Sequence, residues 1–176
     1  MRIRKTFVAV VLAFGVTGAA QAAEDLKIGM VLPMSGPFAS YGEQILNGAR
    51  LYLEQHDNKL GDRKVELIVK DDTGVAPAVS RRAAQELINR DKVEVLAGFG
   101  LTPAAFSVGP LATQAKMPMV VMNAATSSVT EKSPYIVRTS MALPQITAPI
   151  ATLAVKNGIK RVYTLVADYG PGHDAE

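Results

Sequence analysis

The sequence predicts an α/β fold in which a parallel sheet is covered by helices on both faces. Three observations carry this prediction. Short apolar runs alternate with stretches of helical periodicity, loops rich in Gly, Pro and hydroxyl residues follow the runs, and 48% of the 176 residues are hydrophobic against 20% charged. Strands that alternate with helices pair in parallel, because each helix carries the chain back to the starting edge of the sheet.

Four strands and three helices make up the first part of the predicted order. The strands are predicted at 26–32, 65–69, 93–97 and 118–122. The helices between them are predicted at about 41–55, after Thr73, and at about 103–116. The first helix places Ile45, Ala49 and Tyr52 on one face, and the second, capped by Thr73 with Pro77 in its first turn, turns Val79, Ala83 and Leu87 inward.

The last stretch of sequence continues the pattern but does not complete it. It predicts a short extended segment at 135–138, a helix at about 144–157 that stops at Gly158, and a strand at 161–167. The sequence reaches Glu176 where a further helix should begin. A parallel strand without its following helix leaves apolar surface uncovered, so we expect a truncated chain or a fragment.

Residues 1–22 read as a cleavable signal peptide. Arg2, Arg4 and Lys5 precede the apolar run 7–16, and Ala20-Gln21-Ala22 matches the small-x-small cleavage pattern, with the cut before Ala23. Ten apolar residues are too few to cross a bilayer, which argues against a membrane anchor. Without this leader the chain has 16 basic and 16 acidic residues, and this neutral body argues against a nucleic-acid partner.

Several kinds of chemistry are excluded or disfavoured. The chain has no cysteine, so it has no disulfide, no thiolate nucleophile and no lipid attached through cysteine. No phosphate-binding loop, zinc-protease or serine-hydrolase motif is present. His56 and His173 stand alone, and a metal site needs three or four ligands. We therefore expect a protein that is not an enzyme and that carries no metal or cofactor.

The loops after the predicted strands offer groups for binding a small molecule. The segment 98–103 reads Gly-Phe-Gly-Leu-Thr-Pro, a poor dinucleotide fingerprint, but it places backbone N–H groups and the Thr102 hydroxyl at a helix start, which suits a carboxylate. The segment 123–128 adds carbonyls and three hydroxyls at the same edge of the sheet. For both segments, ordinary helix capping is the alternative.

Two further loops carry weaker signals. Residues 33–42 are rich in Gly and Pro and place Tyr41 where its ring can face a ligand, although packing on the domain is the alternative. Asp71 and Asp72 follow the second strand, where they suggest a metal or a ribose contact. A solvated turn is the favoured interpretation, because no third ligand is near in sequence.

These features together resemble the type I periplasmic binding proteins of branched-chain amino acid ABC transporters, the Leu/Ile/Val-binding type. The resemblance rests on these segments: Met34-Ser35-Gly36-Pro37, Tyr41-Gly42, Asn47-Gly48-Ala49, Lys70-Asp71-Asp72-Thr73, Asn123-Ala124-Ala125-Thr126 and Asp168-Tyr169-Gly170-Pro171-Gly172. It implies two Rossmann-like lobes. Residues 23–138 would form an incomplete first lobe and residues 139–176 the truncated start of the second.

The resemblance also implies the binding site and its partners. Thr102 would hold the α-carboxylate of an amino acid or related amide, the Ala124 carbonyl would accept from the ammonium, and Thr126 would serve both groups. Tyr41 and Leu101 would line the side-chain pocket, and Tyr169 would close over it from the second lobe. The family's acidic partner for the ammonium would lie beyond Glu176. The protein would work in the periplasm and deliver its ligand to an inner-membrane ABC permease.

Two other functions stay open on the sequence alone. The same fold serves ligand-sensing receptor domains that report to a signalling or regulatory partner. A secreted Rossmann-like enzyme is the third possibility, although the degraded fingerprint at 98–103 predicts no nucleotide binding. The ligand itself stays open, because one wall of the pocket would come from the second lobe.

Overall fold

A computed structural model describes residues 24–176 and contains one six-stranded sheet; the predicted signal peptide lies outside the described residues. The order across the sheet is β2-β3-β1-β4-β5-β6. All neighbours pair in parallel except β2 and β3, which form an antiparallel hairpin. The strands are β1 (Leu26–Leu32), β2 (Lys59–Leu60), β3 (Arg63–Asp71), β4 (Val95–Gly98), β5 (Met119–Val121) and β6 (Ile136–Arg138).

Five helices connect or follow these strands, and the predicted α/β fold is confirmed. They are α1 (Ala39–Glu54), α2 (Pro77–Glu86), α3 (Thr102–Ala115), α4 (Leu143–Lys156) and α5 (Gly170–Ala175). A wider helical turn at Leu87–Asp91 extends α2, and 3₁₀ turns lie at Gly36–Phe38 and Ser127–Lys132.

The larger hydrophobic core lies between the sheet and the pair α2 and α3. Val31, Leu96 and Val121 point into it from three neighbouring strands, and all three are fully buried. Small residues on the inner face of α3, such as Ala104 and Ala105, allow the helix to approach the sheet closely.

The opposite face of the sheet is covered by α1. Met30 and Leu32 alternate with Val31 along β1 and pack against Leu46 of α1, as the period of two in a strand requires. Beside α1 an apolar groove of about 370 Å³ remains, lined by Ile28, Tyr52, Leu67, Val120, Met122 and their neighbours.

The short hairpin of β2 and β3 was not predicted. Asp57 and Asn58 turn the chain with positive φ angles of 54° and 55°, a conformation that Asp and Asn tolerate better than most residues. The chain then pairs Lys59–Leu60 with the start of β3. A two-residue strand is too short for periodicity to reveal it.

The predicted strand at 161–167 is wrong for this structure. These residues form no strand, and Tyr163 and Leu165 are 92% and 100% exposed. A strand exists through hydrogen bonds to a neighbouring strand, and none of the described strands lies beside this segment. The helix that follows, α5, begins at Gly170, six residues before the expected start at Glu176.

Candidate functional site

The candidate site lies at the carboxyl ends of the strands, where the order of the sheet reverses direction. From β1 the chain moves to β3 on one side, and it then returns to β4, β5 and β6 on the other. The helices that follow β1 and β4 therefore leave on opposite faces, and a crevice opens between the two loops. A cleft of about 470 Å³ occupies this position.

The cleft is lined by loops after β1, β4, β5 and β6 and by the first turns of α1, α3, α4 and α5. Its lining residues are Phe38, Tyr41, Gly100, Leu101, Thr102, Asn123, Ala124, Ala125, Thr139, Ser140, Met141, Leu143, Ile146, Tyr169 and Pro171. Five of the six predicted site residues are in this set, and the sixth, Thr126, reaches it through a hydrogen bond to Thr102.

The loop after β1 is held by Asp71. Its carboxylate accepts hydrogen bonds from the backbone N–H groups of Met34 and Thr73, each at 2.8 Å. Partial burial would raise the pKa of Asp71, but hydrogen bonds from the Ser35 side chain and from these backbone groups outweigh it, and the pKa falls below its usual value. The loop carries Phe38, and the first turn of α1 carries Tyr41; their rings stack with centroids 6.1 Å apart.

The prediction of a solvated turn at Asp71 and Asp72 is wrong for Asp72, which is fully buried. Its carboxylate accepts from the N–H of Gly74 at 2.8 Å and lies 3.4 Å from the Ser80 hydroxyl. Burial raises its pKa. Thr73 does not cap α2, because it has a φ of 59° and the helix begins four residues later, at Pro77.

The loop after β4 requires glycine. Gly98 has a φ of 103°, and a Cβ there would lie 2.6 Å from the carbonyl oxygen of Val31. The tight turn brings Leu101 to the position before α3 and places Thr102 in the first turn of the helix. No side chain caps α3, so its first N–H groups keep their capacity to bind an anion.

Thr102 and Thr126 meet across the cleft wall. Their hydroxyl oxygens are 2.8 Å apart, and both residues are buried, with 3% and 5% of their surface exposed. Neither hydroxyl caps its own helix, so the capping alternative does not describe this structure. Arg138 donates from its guanidinium to the Thr126 carbonyl at 2.7 Å and fixes the loop.

Ala124 is buried beneath the same loop. Its N–H donates to the Phe99 carbonyl at 3.0 Å, and the Asn123 side chain donates to the Gly100 carbonyl at 2.7 Å. These two bonds join the loops after β4 and β5 into one wall.

Ser140 is a cleft residue that sequence reasoning missed. Gly98, Val121 and Arg138 are in register across β4, β5 and β6, so two residues later Gly100, Asn123 and Ser140 form a row along the cleft. The Ser140 Oγ is buried and has no hydrogen-bond partner among residues 24–176.

Tyr169 enters the cleft from the other end of the described chain. It is 39% exposed and precedes α5, whose first residue, Gly170, lies against the Thr102–Thr126 pair. Farther along α5, the Asp174 carboxylate accepts hydrogen bonds from the N–H and hydroxyl of Ser127. The contact with Ser127 has no signal in the sequence, because the two residues are 47 positions apart.

The part of the cleft that residues 24–176 form is uncharged. Among residues 24–176, no Asp, Glu, Lys, Arg or His side chain lines it. The described residues contain no cluster of His, Asp and Glu that could hold a metal ion, and no helix in them is long and apolar enough to cross a bilayer. The arrangement therefore offers hydroxyls, backbone N–H groups and aromatic faces.

Comparison with known proteins identifies the family. The sequence profile of the periplasmic binding protein family matches residues 25–176. The chain belongs to this family. The predicted resemblance and the type I periplasmic binding fold are thereby confirmed. A Leu/Ile/Val-binding protein homolog 6 of Brucella abortus (strain 2308) is 44% identical over 99% of this chain, which covers 45% of that protein.

Solved structures of solute-binding proteins of ABC transporters also match this chain. One, from Rhodopseudomonas palustris BisB5 in complex with 3,4-dihydroxybenzoic acid, is 53% identical with a TM-score of 0.82. Another, from R. palustris in complex with 4-hydroxybenzoate, is 48% identical, also with a TM-score of 0.82. In both comparisons the match covers 86% of this chain and 41% of the other. The chain thus spans less than half the length of these relatives, which are binding proteins and not enzymes.

Proposed function

We propose that this protein is the periplasmic solute-binding component of an ABC importer and that its cleft binds a small aromatic carboxylate. The observation that carries the proposal is the Thr102 hydroxyl, which lines the cleft at the uncapped start of α3 and is bonded to the buried Thr126 hydroxyl. Among residues 24–176, no charged side chain lines this cleft.

The carboxylate of the ligand belongs at the Thr102–Thr126 pair. Helix N-terminal N–H groups and hydroxyl donors stabilise an anion without a formal positive charge. Hydrogen bonds to a charged acceptor contribute about 1.5–3 kcal/mol each, more than bonds between neutral groups.

The rest of the cleft favours an aromatic body over an aliphatic amino acid. Phe38, Tyr41 and Tyr169 present aromatic faces, and Leu101 and Met141 add apolar surface. The two solved relatives above were crystallised with hydroxybenzoates. Aromatic side chains bind flat rings by stacked or edge-on contacts.

An amino acid is the second candidate, favoured by the Leu/Ile/Val-binding name of the Brucella relative. Its ammonium group is strongly hydrated, so burying it requires an acidic or carbonyl partner. The Ala124 carbonyl is one candidate partner. Asp174, an acidic residue of α5, is occupied by Ser127 and does not line the cleft. A branched-chain amino acid would therefore need an acidic residue from outside the described chain.

The remaining parts of the proposal concern the whole protein. Residues 1–22 would direct export to the periplasm, residues 23–138 would form the first lobe, and residues 139–176 would begin a second lobe that closes over the ligand. The closed form would be recognised by an inner-membrane permease. A receptor domain of the same fold is the alternative, and it would bind ligand without supporting uptake.

The first experiment measures ligand affinity by calorimetry on the purified gene product that carries this sequence. We expect 4-hydroxybenzoate and 3,4-dihydroxybenzoate to bind more tightly than leucine. The Thr102→Ala/Thr126→Ala double variant should lose at least tenfold in affinity for each hydroxybenzoate, because two hydrogen bonds to the carboxylate are removed.

The matched control is Thr113→Ala in the same helix. Thr113 bonds to Gly109 and Ser133, outside the cleft, so its loss should leave affinity unchanged. Tighter binding of leucine than of any benzoate would favour the amino-acid candidate. Loss of the gene with unchanged uptake of labelled ligand would favour the receptor alternative.

A further inference from the structure

The C-terminal helix α5 is tied to the loop that carries Thr126. The N–H of Ser127 donates to one carboxylate oxygen of Asp174 at 2.7 Å, and the Ser127 hydroxyl donates to the other. Ser127 follows Thr126 directly and begins a 3₁₀ turn, so the carboxylate satisfies an N–H at the start of that turn, as an N-terminal cap does. The cap is supplied from 47 residues away.

We propose that Asp174 is a positioning residue that latches the segment 139–176 onto the wall of the cleft and thereby favours its closed form. This inference rests on the proposed function, in which that segment begins a lobe that closes over a ligand. Asp174 acts through Ser127 and does not touch the ligand.

The hydrogen-bonded pair of Asp174 and Ser127, called the latch below, has neighbouring contacts that explain why it closes the cleft. When Asp174 binds Ser127, Gly170 at the other end of α5 lies against Thr102 and Thr126, so that a Cβ on it would be 3.5 Å and 3.7 Å from their side chains. Tyr169, next to Gly170, then lines the cleft. The same placement of α5 satisfies the latch and presents the aromatic ring.

The hydrogen bonds between Asp174 and Ser127 are strong for a contact between two distant segments of the chain. A carboxylate that accepts from a backbone N–H and a hydroxyl forms charge-assisted hydrogen bonds, which are stronger than bonds between neutral groups. Both partners are partly buried, so water screens them less than it screens a surface pair.

The proposal predicts the direction in which ligand affinity changes when the Asp174–Ser127 contact is weakened. If only the closed form binds tightly, apparent affinity scales with the fraction of closed molecules, so a weakened latch weakens binding. A carboxylate that merely lay near an anionic ligand would repel it, and its removal would tighten binding. The two interpretations of Asp174 therefore predict opposite effects.

The test compares Asp174→Asn with Asp168→Asn in the gene product that carries this sequence. Asp168 is on the same segment, but its side chain is fully exposed and bonds to His173. We expect Asp174→Asn to weaken 4-hydroxybenzoate binding about tenfold, the loss expected for one charge-assisted hydrogen bond, mainly through faster dissociation. Asp168→Asn should match the wild type.

Two further measurements keep the outcome clear. Small-angle scattering without ligand should show a larger radius of gyration for Asp174→Asn than for the wild type, while thermal melting confirms that both are folded. Ser127→Ala should weaken binding less, because the backbone N–H remains, and it should add little to Asp174→Asn, since both act on one contact.

The outcomes separate the latch from the proposed function. Unchanged or tighter binding by Asp174→Asn would overturn the latch while leaving the ligand proposal standing. If the wild type binds no benzoate, the ligand proposal fails, and scattering alone decides the latch: an unchanged radius of gyration in Asp174→Asn would refute it.

Discussion

Residues 24–138 and residues 139–176 bury their apolar side chains to very different extents. Both hydrophobic clusters of the described chain are built entirely from residues between 28 and 136. By contrast, α4 contains no buried residue, and Leu153 and Val162 are 60% and 67% exposed. Both regions have the sequence pattern of alternating helix and strand, but only the first has strands in register to close a core.

This difference shows that an apolar segment of sequence forms a strand only when another strand lies beside it to accept its hydrogen bonds. Along β1, every residue from Leu26 to Leu32 pairs with β3, and the central ones pair with β4 as well. The apolar segment 161–167 has no strand beside it among the described residues and stays irregular. The second region touches the first through a few hydrogen bonds, such as that from the Leu143 N–H to the Ala125 carbonyl.

The largest expected effect compares one leucine from each region. Leu96 is fully buried in β4, and Leu165 is fully exposed. Leu96→Ala should reduce the free energy of unfolding by about 2–5 kcal/mol, because it leaves a cavity in the core. Leu165→Ala should change it by less than about 0.5 kcal/mol. Urea denaturation of this chain measures both, and equal losses would contradict the contrast between the regions.

A pair of glycines with positive φ gives the next largest difference. Gly98→Ala places a Cβ 2.6 Å from the Val31 carbonyl oxygen, whereas Gly158→Ala meets no atom within 4 Å. We expect Gly158→Ala to cost about 1 kcal/mol from the left-handed backbone alone, and Gly98→Ala to cost more. Thermal melting followed by circular dichroism compares them. A smaller loss for Gly98→Ala would mean that the loop after β4 is free to shift.

The smallest effect concerns two neighbouring carboxylates within the first region. The pKa of Asp71 is lowered in the fold, so its ionised form stabilises the protein above about pH 4, and this contribution disappears as the pH falls through the lowered pKa. Asp71→Asn should therefore be less stable than the wild type at pH 7, by less than about 1 kcal/mol after solvent screening, and equal to it at low pH.

Asp72 should behave in the opposite way. Burial raises the pKa of Asp72, so ionising its carboxyl above about pH 4 lowers the free energy of unfolding of the wild type. The neutral amide of Asn at this position would not cause that loss. The free energy of unfolding of Asp72→Asn should therefore increase relative to that of the wild type as the pH rises from 3 to 7. Urea denaturation at several pH values tests both variants, and the same pH trend in both would contradict the assigned burial.

Much of the site followed from local sequence and the rules of parallel sheets. Thr102 and Thr126 come after neighbouring strands, and the carboxyl ends of parallel strands share one edge, so the sequence predicted that they would meet. The row that places Ser140 in the cleft needed the register of β5 and β6, and periodicity does not fix register between separate strands. Asp72 was misjudged because its burial depends on the path of the following loop and on Ser80 in α2.

The sequence by itself determined the longer strands and the helices of the first region, but not the two-residue strand β2, because apolar periodicity and glycine and proline positions act over a few residues. It also determined which strand ends carry hydroxyls and N–H groups. Only the tertiary structure decided that Asp174 binds Ser127, that Ser140 joins the cleft, and that residues 161–167 form no strand. Each of these depends on contacts between residues far apart in the chain, whose free energy exists only once the sheet has brought them together.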